Sequence, residues 1–441
     1  MRTSRSIHAL LALGLATTAA CVGGTPGGDD GTGDDDTLVT DGGRYTVADC
    51  GYDIVTVAGA EAPAPGADVL GASPAPYQVH LGFAGDPATS MAIVWRTDAD
   101  TTATSVRFGE GTALDQTASG VTFRYIAGVG GVGDVVRMHE AHLCGLSPDT
   151  AYSYQVGGVG DGGTESWSTT YTFRTAPATT DASAEVRIAF VGDSRGGYDV
   201  WADLAHEIES RGADLILFSG DAVTVGQVQD EWDTFFTAAE DLLATVPIIS
   251  AHGNHDLNSV NYYSQFVMPG DESSFSFDYG PAHMVVLNDT PLQASDIEGK
   301  IRTFLSQDLA ANTGRPWTIV NHHRPIWSSG TRHGSDQTLL QQWGPLIDQY
   351  HVDLVVAGHD HIYERTKPMN ADQVQATTAT GTVYVVSGGA GASLYGTEPD
   401  YFTDNAESSH SGIIAQVRAG QLQYEAFRPD GSSVDTMTMT K

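Results

Sequence analysis

"VRIAFVGDSRGGYDVWADLAHEIES", Val186 to Ser210, is the stretch on which the fold turns. Its first half is a nearly continuous apolar run that stops at Gly192-Asp193, as a strand buried on both faces does. Its second half places Val200, Leu204 and Ile208 on one face of a helix. The unit then repeats: "ADLILFSGD" (213–221) reads as a strand, "EWDTFFTAAEDLL" (231–243) as a helix and "VPIISAHGNHD" (246–256) as a strand. The later runs "FSFDYG", "HMVVLND", "WTIVNHH", "DLVVAGHDH" and "TVYVVSGGAG" add strands enough for two packed sheets. Residues 184–441 are therefore expected to form an α/β/β/α sandwich, two mixed sheets flanked by helices.

Ahead of this unit the period changes. Between Tyr77 and Arg174, "SMAIVWRTD", "TSVRFGE", "RMHEAHLCGL", "AYSYQVGG" and "STTYTFRT" alternate apolar and polar residues, with turn residues and no helical stretch between them. That predicts an N-terminal all-β sandwich over residues 74–178. "LSPDTAYSYQVGG" (146–158) resembles the late hairpin of fibronectin type III domains. His139 and His142 in this segment read as packing or surface residues rather than a metal site.

With Lys+Arg 21 against Asp+Glu 55, the 441-residue chain carries a net charge of −34, a field that repels nucleic acid and anionic membrane surfaces. No nucleic-acid binding by a basic patch is expected. Residues 1–20 read as an export signal, with Arg2 and Arg5 ahead of an apolar run too short to span a bilayer stably. Residues 21–73 begin "CVGGTPGGDDGTGDDD", a flexible, self-repelling tether and linker. A cysteine between signal and tether resembles a bacterial lipoprotein, which implies acylation of Cys21, a cell-envelope location and membrane contact only through that lipid; Thr18 stands where such signals usually carry Leu, and plain secretion is the alternative. Cys50 and Cys144 then remain for a disulfide or as two buried thiols.

Five of the apolar strands finish on polar clusters: Asp193 in "FVGDSR", Asp221 in "FSGDAV", Asn254 and His255 in "AHGNHD", His322 and His323 in "IVNHHRP", and His359 and His361 in "VAGHDH". Ligands of α/β sheets bind beyond the carboxyl ends of the strands, so these side chains can converge. Each cluster alone is an ordinary turn. Together they place oxygen and imidazole donors without a thiolate, a set that suits Mn, Zn or Fe. They exceed what one ion with an open position needs, and two ions sharing a carboxylate is the economical solution.

The series GD, GDxx, GNHD, VxxH and GHxH resembles the calcineurin-like metallophosphoesterases. With a β-sandwich in front it is most similar to the purple acid phosphatase branch, over roughly Pro76 to Gly431. The resemblance implies one ion held by Asp193, Asp221 and His361, and a second by Asp221, Asn254, His323 and His359, with Asp221 as the bridge. It implies hydrolysis of phosphomonoesters, small-molecule phosphate esters, by metal-hydroxide attack. His255 then acts as proton donor or phosphoryl contact, His333 stands where the resemblance places a second substrate histidine, and Arg195, two residues past Asp193, offers a planar fork for phosphate oxygens. A phosphodiesterase on nucleotides or lipid headgroups is the alternative, followed by a surface binding protein with a degraded site.

One position departs from the branch. Purple acid phosphatases carry a metal-binding tyrosine three residues after the bridging aspartate, and here that residue is Thr224. Other metallophosphoesterases carry a histidine two residues after the first aspartate, and here that residue is Arg195. The ion at Asp193 is thus one protein ligand short, with water, Tyr198 or another side chain left to complete it. A colourless enzyme follows, without a tyrosinate-Fe(III) centre and with one of two divalent ions loosely held.

Overall fold

Strand Glu185–Val191 and helix Tyr198–Ser210 form from the opening stretch in the computed structural model, which describes residues 42–128, 132–312 and 314–441. The expected export signal and Cys21 lie outside the described residues. The helix buries Trp201, Leu204, Ala205 and Ile208, while Val200 is only partly buried. The apolar face is centred closer to Trp201 because that indole fills the space over Phe218 and Phe235. The run expected as a second single helix breaks at Ala239 into Gln229–Ala238 and Glu240–Leu243. This break lets Leu242 and Leu243 both be buried after Trp232, Phe235 and Phe236.

Two sheets make the C-terminal half. One runs Ile248–Ser250, Leu215–Phe218, Glu185–Val191, Gly412–Arg418, Gln421–Phe427, Ser433–Thr440, with the first three strands parallel. The other runs Phe275–Tyr279, Ala282–Val286, Trp317–Asn321, Leu354–Ala357, Val383–Ser387, Tyr363–Thr366, Thr403–Glu407, parallel through its centre. Alternation along the second sheet sets the layers. Met284, Ile319, Leu354, Val356 and Val385 join Phe190, Ile413 and Tyr424 of the first sheet in one apolar core. Their neighbours Val285, Val320, Val355 and Tyr384 join Ile301, Leu305 and Ile347 of the covering helices in another. The period of two thus buries both faces of one strand against different partners, giving the four layers helix, sheet, sheet, helix.

The N-terminal sandwich pairs a sheet ordered Ala64–Pro65, Val121–Ile126, Val135–Cys144, Ser90–Thr97, Tyr77–Gly82 with a second built around Ala151–Val159 and Ser105–Glu110. Met91, Ile93 and Trp95 face the partner sheet beside Val106 and Tyr154. Ala92 and Val94 face the other way, against Val267 of the following domain. Strand Ser90–Thr97 is therefore buried along its whole length. Polar bonds cross the same seam: Tyr154 Oη donates to the Ala244 carbonyl at 2.6 Å, and Arg96 pairs with Asp233. His139 is packing, its ring stacked 5.2 Å from Trp95 and its nitrogens each 2.8 Å from the Thr97 and Thr104 hydroxyls. His142 meets the Tyr52 hydroxyl at 2.8 Å. Cys50 and Cys144 form a disulfide across 94 positions. It ties the hairpin Gly43–Val47/Tyr52–Thr56 to the end of a central sandwich strand, a closure of the unfolded chain that contributes roughly 4–5 kcal/mol on the chain-entropy account.

His283, on strand Ala282–Val286, lies between Asp278 of the neighbouring strand (2.7 Å) and Asp308 of helix Lys300–Ala311 (2.9 Å). Arg315 approaches Asp278 from the far side at 3.5 Å. Burial pulls the imidazole pKa down, but the two carboxylates outweigh it and lift it to about 9. A folded pKa above the unfolded value means that this clamp stabilises fully below pH ~6.5 and is lost as pH rises through about 9. His283→Gln should cost on the order of 2 kcal/mol at pH 6 and little above pH ~10. Urea unfolding of both proteins across that range checks it, and a pH-independent gap between them would refute the clamp.

Candidate metal centre

The sandwich brings five strand ends to one edge. Asp193 follows Glu185–Val191, Asp221 follows Leu215–Phe218, Asn254 and His255 follow Ile248–Ser250, His323 follows Trp317–Asn321, and His359 and His361 follow Leu354–Ala357. Three of these residues have left-handed backbones: φ is 61° at Asp193, 57° at Asp221 and 67° at His359. A β-carbon there costs roughly 1–2 kcal/mol, so the surrounding packing must impose the conformation. Glycine permits the close approach. A β-carbon on Gly358 would lie 2.2 Å from Asp193 Oδ2, and one on Gly253 would lie 2.4 Å from Asp221 Oδ1.

His323 shows what the arrangement demands. Its Nδ1–H donates to the Ser219 carbonyl at 2.7 Å, so in the neutral ring, the form that binds a metal, Nε2 carries a lone pair. That lone pair faces Asn254 Oδ1 at 3.0 Å, His359 Nδ1 at 3.2 Å and Asp221 Oδ1 at 3.4 Å. Ligand atoms of Asp221, His323 and His359 all lie within 4.8 Å of one another. His361 repeats the design: Nδ1–H donates to the Ser393 carbonyl at 2.7 Å, and Nε2 lies 3.5 Å from Asp193 Oδ1, a buried oxygen without a hydrogen-bond partner. Burial by itself lowers the His323 pKa, yet Asp221, Asp193 and Asp289 push it up to about 10. Burial likewise raises the Asp221 carboxyl, and His323 beside it more than reverses that. A centre that draws a proton this strongly is built for positive charge. With that proton released from His323 Nε2, lone pairs of oxygen and imidazole face one another, a donor set that fits divalent cations.

Three buried acids that sequence reasoning did not single out hold the turns. Asp256 accepts from the backbone N–H groups of Gly253 (2.8 Å), Asp221 (3.1 Å) and Ala222 (3.2 Å). Asp289 accepts from the His323 N–H at 3.0 Å and meets His322 Nδ1 at 3.1 Å. His322 is thus turned away from the donor cluster, against Asp289 and Trp343. Asp360 accepts from Ser328 Oγ (2.6 Å), Gly334 N–H (3.0 Å) and His333 N–H (3.3 Å). Two of these acids sit inside the quoted motifs "GNHD" and "GHDH", so the signal was present as the residue beside each donor.

The remaining expected residues divide. His255 belongs to the cluster: its N–H donates to Asp221 Oδ1 at 2.8 Å, and its Nδ1–H to the Thr224 carbonyl at 2.7 Å. Thr224 therefore orients a histidine through its backbone. His333 is exposed at the mouth, its ring 4.1 Å from that of His359. Arg195 is not a free fork; Nε lies 3.3 Å from Asp221 Oδ2 and Nη2 lies 3.2 Å from His361 Nε2. Tyr198 is not at the centre either, because its hydroxyl is directed to Glu231 at 3.4 Å. The tyrosine bordering the donors is Tyr395, stacked on His361 at 4.1 Å and 23°.

Comparison with known proteins places this geometry. Residues 76–175 match the purple acid phosphatase N-terminal domain, and residues 186–363 match the calcineurin-like phosphoesterase domain. Acid phosphatase type 7 of Homo sapiens is 30% identical over 358 residues, covering 73% of this chain and 80% of that protein. Purple acid phosphatase 21 of Arabidopsis thaliana is 28% identical over 335 residues, covering 72% and 71%. In fold, the chain is similar to purple acid phosphatase PPD1 from yellow lupin (Lupinus luteus), with a TM-score of 0.74 and 21% identity over 83% of this chain and 74% of that one. The chain belongs to the purple acid phosphatase branch of the calcineurin-like phosphoesterases, metal-dependent phosphatases whose family implies a dinuclear centre.

Proposed function

We propose that the chain is an exported phosphomonoesterase that binds two divalent ions. One is held by Asp193, Asp221 and His361, and the other by Asp221, Asn254, His323 and His359. The observation that carries this reading is the His323 Nε2 lone pair set among three further acceptors with Nδ1–H already spent on Ser219. Ions bound there supply an acidified water and neutralise charge on the phosphoryl oxygens. Oxygen and nitrogen donors without thiolate suit Mn, Zn or Fe(II). Thr224 offers no phenolate, so the protein is colourless.

His255 holds the proton for the leaving oxygen. Its Nδ1–H is fixed by the Thr224 carbonyl, which leaves Nε2 as the atom that delivers it. His333, on a loop whose backbone Asp360 pins, contacts the substrate beyond the phosphoryl group. The substrate is a small phosphate ester, since the net charge of −34 disfavours nucleic acid. Export rests on residues 1–20 and acylation on Cys21. The Cys50–Cys144 disulfide supports an oxidising compartment. No helix among the described residues is long and apolar enough to cross a membrane.

Hydrolysis of p-nitrophenyl phosphate should exceed that of its bis ester by at least ~10-fold in kcat/KM once Mn or Zn is restored to chelator-treated protein; the reverse ratio would move the assignment to diesters. His255→Ala should lower kcat by roughly 10²–10⁴-fold with metal content unchanged, and full turnover in that variant would remove His255 from proton transfer. The metal-replete protein should show no visible charge-transfer band, and a purple sample would overturn the divalent, tyrosinate-free centre.

A further inference from the structure

Arg195 sits where the three donors of the first ion meet. Its Nε lies 3.3 Å from Asp221 Oδ2, and its Nη2 lies 3.2 Å from His361 Nε2, itself 3.5 Å from the partnerless Asp193 Oδ1. The guanidinium is enclosed, its side chain 19% exposed. Tyr395 closes it in, with its ring on His361 and its phenol against Arg195, and Arg332 lies over the outer face of that ring at 5.0 Å.

The conflict is one of atom counts. The Nδ1–H of His361 is given to Ser393, so its Nε2 offers a single lone pair. That lone pair accepts from Arg195 or binds an ion, and it cannot do both. Among the described residues Arg195 hydrogen-bonds to Asp221 Oδ2 and His361 and to none of Asn254, His323 and His359, the donors of the other position. A guanidinium is always charged, so it offsets the buried acids where a metal would. Thr224 adds no donor that would tip the balance toward the ion.

We propose that Arg195 is the resident cation of the first metal position. The chain binds one ion tightly at Asp221, Asn254, His323 and His359. A second enters at Asp193, Asp221 and His361 only by displacing the guanidinium. This rests on the ligand assignment proposed above, and it gives the weaker ion a cause: competition inside the protein as well as a missing ligand.

The test titrates Mn²⁺ into chelator-stripped, full-length protein, with bound metal counted after equilibrium dialysis and Mn–Mn spin coupling read by EPR. The wild type should bind one Mn²⁺ per chain tightly and a second at least tenfold more weakly. Arg195→Ala should bind the second ion at least tenfold more tightly than the wild type does and show a coupled spectrum once both ions are bound. Arg195→Gln, which keeps bulk and a donor but not the charge, should shift the second affinity in the same direction, and a thermal melt shows whether each variant is folded. Two equally tight ions in the wild type, or a second ion no tighter in both folded variants, overturns the proposal. His323→Ala separates the two levels. It should abolish the tight ion, and if that ion persists the ligand assignment fails and takes the Arg195 proposal with it. Loss of the tight ion in His323→Ala together with an unchanged second affinity in the folded Arg195 variants overturns the Arg195 proposal alone.

Discussion

A buried cluster of lone pairs needs positive charge, and much of this molecule exists to keep that cluster assembled. Asp193, Asp221, His323 and His361 are each withdrawn almost completely from water. Desolvating carboxylates is tolerable only when cations or protons compensate. The two sheets bring the donors to one edge, and the bonds from Ser219 and Ser393 fix both imidazoles with their lone pairs toward the cluster. Asp256, Asp289 and Asp360 accept other backbone N–H groups of the turns, and Asp221 and Asp193 each take one more, from His255 and His359, so the turns are pinned around the donors.

The fold was legible in the chain because its two periods are unmixed. Continuous apolar runs ending on Gly-Asp, Gly-Asn-His and Gly-His gave the buried strands, and period-two runs gave the sandwich ahead of them. The donor residues were legible for the same reason: a polar side chain at the end of a buried strand has few structural excuses. The supporting acids were not, since an aspartate next to a donor looks like turn chemistry until the N–H groups it accepts are seen. Tyr395 was invisible because it comes from a glycine-flanked loop whose path no periodicity reports. Sequence offers no way to know that Arg195 lies against Asp221 and His361.

The β-sandwich is more than an appendage. Strand Ser90–Thr97 is covered on both faces, by its partner sheet and by Val267. A β-carbon on Gly82 would lie 2.4 Å from the Val267 carbonyl. The segment so gripped follows "GNHD" and includes Tyr262, edge-on to His252, and Tyr263, stacked on it. Packing between the halves thus reaches the turn that carries Asn254 and His255.

The left-handed backbones at Asp193 and Asp221 shape how this protein can change over generations. Asparagine is among the few residues that adopt that conformation readily, and a single base change converts an aspartate codon into an asparagine codon. The chemistry can therefore be silenced at either position while the turn survives. Most other replacements would damage the turn along with the charge. A folded protein that keeps both turns but lacks one metal-binding charge lies one mutational step away, which makes catalysis in such a lineage easier to lose than shape.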